Sequence, residues 1–133
     1  MSDIVDKARE YIGTPYKHQG RLKGVGVDCI GLVICVAKEL GLSAYDTTDY
    51  GRIPQRDFLL HESRKNMHEI SYGDIEPGDV ILFEFIKGYP QHFAIYAGNE
   101  YIIHSYESNE SVVEHRMCGA WKRRIAGVFR IKR

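Results

Sequence analysis

The sequence has few cysteines, no surplus of either charge and no long apolar run, and each shortage removes a class of protein. Three cysteines, an odd number, do not suit a disulfide framework, so free thiols are expected. Eighteen basic residues meet eighteen acidic ones, so no net field draws the chain to phosphate backbones or anionic lipid. Neither nucleic acid nor a membrane is an expected partner, and no stretch approaches the roughly 20 apolar residues that cross a bilayer. The N-terminus, MSDIVDKAREYIG, lacks the apolar core and small-residue cleavage site of a secretory leader, so synthesis in the cytoplasm is expected. There is no HExxH pattern and no second cysteine pair; His115 and Cys118 have ligand-like spacing, but zinc ranks last and no cofactor is expected. No repeat, low-complexity tract or linker divides the chain. With 44% hydrophobic and 27% charged residues, one globular domain over residues 1–133 is the expectation.

What is present falls into two halves. Ser2 suits the cap of a first helix with apolar Ile4, Val5, Ala8, Tyr11 and Ile12, stopped at Gly13. Residues 17–27, KHQGRLKGVGV, hold three glycines and read as a loop. From Cys29 a second helix is apolar on all sides, capped by Asp28 and ended by Gly41-Leu42, so it should be central and buried. Residues 43–54 read as loop, 55 to about 67 as a weaker amphipathic helix, and SYGDIEPGD as turns. Then the period changes to that of strands in VILFEFI (80–86), HFAIYAG (92–98), EYIIHSY (100–106), SVVEHRM (111–117) and AGVFRIK (126–132). Helices first and an antiparallel sheet second make the fold α+β.

Cys29 stands in the first turn of the central helix. As a residue type, a buried cysteine is core filler; its position gives it free backbone N–H groups and the positive end of the helix dipole, which favour thiolate over thiol. The same N–H groups could hold an oxyanion. Cys35, two turns further in, reads as core. A thiolate nucleophile wants an imidazole, and the imidazole wants a third group to fix its tautomer. His18, His61, His68 and His115 read as solvated surface. His92 and His104 lie in core strands, twelve residues apart. They share a sheet face if the connecting loop has an odd number of residues, whereas a two-residue Gly98-Asn99 turn separates them unless a bulge restores the parity. Histidines satisfied by backbone partners remain the alternative.

GTPY (13–16), DCIGL (28–32), EPGDVILF (76–83), HFAIYAG (92–98) and IIHS (102–105) together resemble the NlpC/P60 family of papain-like cysteine peptidases, in order over nearly the whole chain. The ending WKRRIAGVFRI (121–131) looks like the branch carried by phage and gene-transfer-agent particles. Cysteine before histidine argues against the circularly permuted acyltransferase relatives. The resemblance implies a papain-like fold with Cys29 as nucleophile, His92 as base and His104 as the residue orienting His92. Tyr16 matches a tyrosine whose hydroxyl lies near the reacting carbonyl, and a half-buried aromatic is the equal alternative. Asp28 matches the residue before the nucleophile, which places a substrate amine or caps the helix. Ile30 stands where the family usually has serine. Trp121 either lines a groove or anchors the last strand. The implied substrate is the stem peptide of bacterial peptidoglycan, often cut between γ-D-glutamate and a diamino acid, with a phage tail or phage-like particle as carrier to the wall. A catalytically silent assembly module, and an amidase or acyltransferase of the same fold, are the alternatives.

Overall fold

The computed structural model describes residues 2–52 and 55–133. Its first helix, α1 (Asp3–Arg9), begins where the Val5 N–H donates to Ser2 Oγ at 3.2 Å. It stops before the glycine that the sequence suggested. Residues 10–14 tighten into turns, among them Tyr11 N–H to the Ala8 carbonyl and Thr14 N–H to the Tyr11 carbonyl, so Tyr11 stays buried while Ile12 is exposed.

Residues 17–27 are not wholly loop. They contain a hairpin of β1 (Arg21–Leu22) and β2 (Gly26–Val27), whose two-residue strands are too short to show any alternation. Helix α2 (Cys29–Glu39) follows, and every residue from Cys29 to Ala37 is buried. Leu42 N–H reaches the Ala37 carbonyl and Gly41 N–H the Lys38 carbonyl, the paired bonds of a Schellman ending, with Gly41 at φ +70°. At the other end, a Cβ built on Gly31 would lie 2.2 Å from the Gly20 carbonyl oxygen, so only glycine lets the first turn of α2 pass under that loop.

The stretch 43–52 carries no regular element, as expected of loop; residues 53 and 54 of that expectation lie outside the described residues. Helix α3 (Phe58–Asn66) runs into β3 (Met67–Ile70), a strand not expected from the sequence, where only the end of the helix at about 67 and the turns from Ser71 are read. It forms because Met67–Ile70 pairs antiparallel with the last strand, a long-range partner that its own residues do not announce. The others are β4 (Val80–Ile86), β5 (Tyr89–Gly98), β6 (Tyr101–Tyr106), β7 (Ser111–Arg116) and β8 (Ile125–Ile131), with a short α4 (Gly119–Lys122) before β8.

One sheet of six strands results, in the order β3-β8-β4-β5-β6-β7 and antiparallel throughout. Alternation sorts its side chains. Val80, Leu82, Phe93, Ile95, Ile103 and Phe129 pack under α1 and α2, while Ile81, Phe83, Ala94, Tyr96 and Ile102 pack on the opposite face with Met117, Trp121 and Ile125. Full burial of each such side chain contributes about 1.5–3 kcal/mol. Both faces of the sheet are thus covered, and α2 is clamped with its N-terminal tip at one end of the sheet.

Candidate active site

The tip of α2 is placed by the backbone just before it. Val27 N–H donates to the Pro15 carbonyl, Lys17 N–H donates to the Val27 carbonyl, and Ser105 Oγ on β6 donates to that same carbonyl at 2.7 Å. Asp28 and Cys29 are thereby fixed against β6, with Tyr16 bridged alongside Val27.

Asp28 is 3% exposed and accepts four protein donors. Oδ1 takes Gly31 N–H at 2.7 Å and Arg21 Nη1 at 3.3 Å; Oδ2 takes Gln19 N–H at 2.7 Å and the Tyr50 hydroxyl at 2.8 Å. A carboxylate has about four acceptor positions, so these donors fill it. Asp28 therefore caps the helix and ties three segments together, and it has no oxygen position to spare for a substrate amine. Gln19 extends the tie, its side-chain amide donating to the carbonyls of Thr48 and Tyr50. Tyr50 has no recognisable motif around it in the sequence; its part comes from a contact 22 residues away.

Cys29 borders a cleft of about 260 Å³ with Tyr16, His18, Asp28, Tyr50, Gln91, His92 and Tyr106 on its walls. Burial works against the expected thiolate. Burial first, and then the charge of Asp28, push the Cys29 thiol up to about 12, outweighing the N–H groups of Phe93, Ile30 and Cys29 itself, which act in the opposite sense. The helix N–H groups act as expected, on a sulfur that is inside the protein and has a carboxylate next to it. The effect expected of Cys29 is found at exposed Cys118, the N-cap of α4, whose thiol is lowered by the N–H groups of Trp121 and Ala120. Cys35 is core, its thiol donating to the Arg21 carbonyl. Burial, followed by the charge of Cys29, also raises the Tyr16 hydroxyl to about 12, so Tyr16 is half-buried and beside the sulfur at once.

His92 and His104 share a sheet face, and the reason is a bulge. Strands β5 and β6 pair Ile95 with Ile103 and Tyr96 with Ile102, then Gly98 with Tyr101, which leaves Ala97 as an extra residue. The turn itself has two residues, Asn99 and Glu100, both with positive φ. The bulge restores the parity that this turn would otherwise spoil. Counting along the register puts His104 across from Ala94, so the two histidines meet on a diagonal, not directly opposite. His92 Nε2 lies 2.6 Å from His104 Nδ1. Burial holds both imidazoles well below the ordinary histidine value, with repulsion from His115 adding to it for His92 and from His92 and His115 for His104.

Two surface expectations need correcting. His18 lines the cleft, edge-on to Tyr50 and 4.0 Å from Asp28 Oδ2. His115 is half-buried and its Nε2 lies 2.8 Å from His104 Nε2, because β6 and β7 pair Ile102 with His115 and so set its ring next to the core histidine. His61 and His68 are exposed, as expected. Trp121 packs on the rings of Phe83, Phe85, His92, His104, Tyr106 and His115, covering the histidines from the α4 side. Its spacing in the sequence carried no hint of that.

Among proteins of known sequence, the chain is 29% identical to the gamma-DL-glutamyl hydrolase of Bacillus subtilis (strain 168), over 96% of this chain and 28% of that protein. It is also 29% identical to the probable peptidoglycan endopeptidase LytE of the same organism, over 98% of this chain and 34% of that one. The chain therefore spans about a third or less of the length of these relatives. Among solved structures, an NlpC/P60 family protein from Bacillus cereus ATCC 10987 superposes with a TM-score of 0.77 at 28% identity, covering 98% of this chain and 40% of that one. The cysteine-bearing helix against an antiparallel sheet is the papain-like arrangement of that fold. Residues 13–130 match the NlpC/P60 family, and the chain belongs to it.

Proposed function

We propose that residues 1–133 form one catalytic domain, a cysteine peptidase that hydrolyses amide bonds in peptidoglycan stem peptides. The observation that carries this reading is one cleft whose walls hold both Cys29, at the tip of α2, and His92 of the hydrogen-bonded His92–His104 pair. The relatives named above, a glutamyl hydrolase and a probable peptidoglycan endopeptidase, support the substrate class. A γ-D-glutamyl bond to a diamino acid is the bond we assign.

Burial opposes both the ionisation of the Cys29 thiol and the protonation of the His92 imidazole. Catalysis then runs by general base rather than from a preformed ion pair. His92 takes the thiol proton as Sγ bonds to the amide carbonyl carbon. The carbonyl oxygen gains the negative charge, and the N–H groups of Cys29 and Ile30 are there to receive it, since Asp28 occupies that of Gly31. Collapse breaks the C–N bond as His92 returns the proton to the amine. Water, deprotonated by His92, then hydrolyses the thioester. Tyr16 stands beside the sulfur for the same carbonyl, and Gln91 Oε1, buried at the cleft with no partner among the described residues, is an acceptor for a substrate N–H. Asp28 acts on substrate only through the wall it holds.

The test is incubation with defined muropeptides, the products weighed by mass spectrometry. A mass gain of one water per cut, at the glutamyl bond, is the expected outcome; an intact substrate pool would refute the hydrolase. A second reading, a silent binding module, draws on the raised Cys29 thiol. It is distinguished by the same measurement, since a module binds muropeptides and leaves them whole. An amidase or acyltransferase of the same fold would leave the glutamyl bond intact and yield other products.

Delivery to the wall we assign to a phage tail or phage-like particle, on the resemblance of the WKRRIAGVFRI stretch (121–131). Sedimentation of the protein with tail particles is expected; recovery of all of it as free cytosolic enzyme would overturn the assignment.

A further inference from the structure

Three imidazoles in a row end on a backbone carbonyl. His92 Nε2 lies 2.6 Å from His104 Nδ1, His104 Nε2 lies 2.8 Å from His115 Nε2, and His115 Nδ1 lies 2.9 Å from the Arg116 carbonyl oxygen. Imidazole contacts are ambiguous one at a time, because each ring nitrogen can donate or accept. The carbonyl is not ambiguous, since it only accepts. His115 Nδ1 must therefore carry a proton. In neutral His115, Nε2 is then the acceptor, so His104 donates from Nε2 and accepts at Nδ1, and His92 donates from Nε2. One oxygen atom thus orders all three rings.

We infer that His115 is a positioning residue, which acts through His104 to keep the unprotonated nitrogen of His92 on Nδ1, the ring atom that His104 leaves free. The inference rests on the proposed role of His92 as base, because Nδ1 must accept the thiol proton for that role. It extends the role to a residue two strands away from His92, with no place on the cleft wall.

Two variants and two readouts test this. Glutamine keeps an amide oxygen to accept from His104 and an NH₂ to donate to the Arg116 carbonyl. His115→Gln is expected to stay within a few-fold of the parent kcat, a rescue by the variant that preserves the acceptor. Phenylalanine fills the space without accepting, and His115→Phe is expected to lower kcat by on the order of 100-fold with KM unchanged. The second readout does not depend on turnover. In ¹⁵N-histidine protein carrying Cys29→Ala, long-range ¹H–¹⁵N spectra at neutral pH should find protons on Nε2 of His92 and His104 and on Nδ1 of His115. His115→Phe should move the first two to Nδ1. A proton on His104 Nδ1 in the parent, or an unchanged His92 tautomer and kcat in His115→Phe, would overturn the inference. If no muropeptide is cut at all, the role of His92 falls, while the spectra still decide the order of the protons.

Discussion

Replacing Cys29 by alanine is expected to lower muropeptide hydrolysis by roughly four to six orders of magnitude, the range seen when a covalent nucleophile is deleted. The expectation comes from chemistry more than from packing. Without sulfur no thioester forms, and His92, His104 and the helix N–H groups are left with only a water to direct. The fold should survive. Cys29 is 9% exposed at the cleft wall, so the lost atom opens onto existing space instead of leaving a sealed cavity. Initial rates on the cleaved muropeptide, together with a thermal melt, measure both halves. Peptidase activity persisting in the folded variant would remove Cys29 from the mechanism.

Asp28→Ala should cost the fold about 3–5 kcal/mol, the scale for breaking a buried ion pair from one side. The carboxylate serves four donors at once. Deleting it strands the Gly31 and Gln19 N–H groups, the Tyr50 hydroxyl and part of the Arg21 guanidinium in the interior. Arg21 keeps Asp46 at 2.9 Å, which softens the loss without replacing it. Asp28→Asn should fall between, because its amide oxygen still accepts from Gly31 while its NH₂ faces the Gln19 N–H or the Tyr50 hydroxyl. Urea denaturation of the three proteins orders them. A loss under 1 kcal/mol in Asp28→Ala would mean that the tie is ornamental.

The two halves of the fold were legible for different reasons. Helix α2 declares itself because its apolar residues run round the whole cylinder between a good cap and a left-handed stop, and strands β4 to β8 because β-branched and aromatic residues recur between turn residues. The hairpin at Arg21–Val27 and strand β3 were not legible, since two to four residues paired with distant partners show no period of their own. At the site, Cys29, His92 and His104 were found from position and motif. His115 and Tyr50 were missed because each is defined by what lies across from it, β6 in one case and Asp28 in the other. Alternation alone could have found His115: once β6 and β7 are taken as a hairpin, positions 102, 104, 113 and 115 fall on one face. The ionisation of Cys29 depends on more than its position at the helix tip. A helix tip favours the anion only as far as water or partners share the charge, and here burial and Asp28 decide the balance.

The bulge at Ala97 makes the hairpin between β5 and β6 behave as an odd–even counter. Removing that one residue, or adding one anywhere between Tyr96 and Ile102, would roll His104 through to the helix side of the sheet and send a core isoleucine out in its place. Length drift in this loop can therefore be inherited only in steps of two, however tolerant the exposed tip is of the identity of its residues.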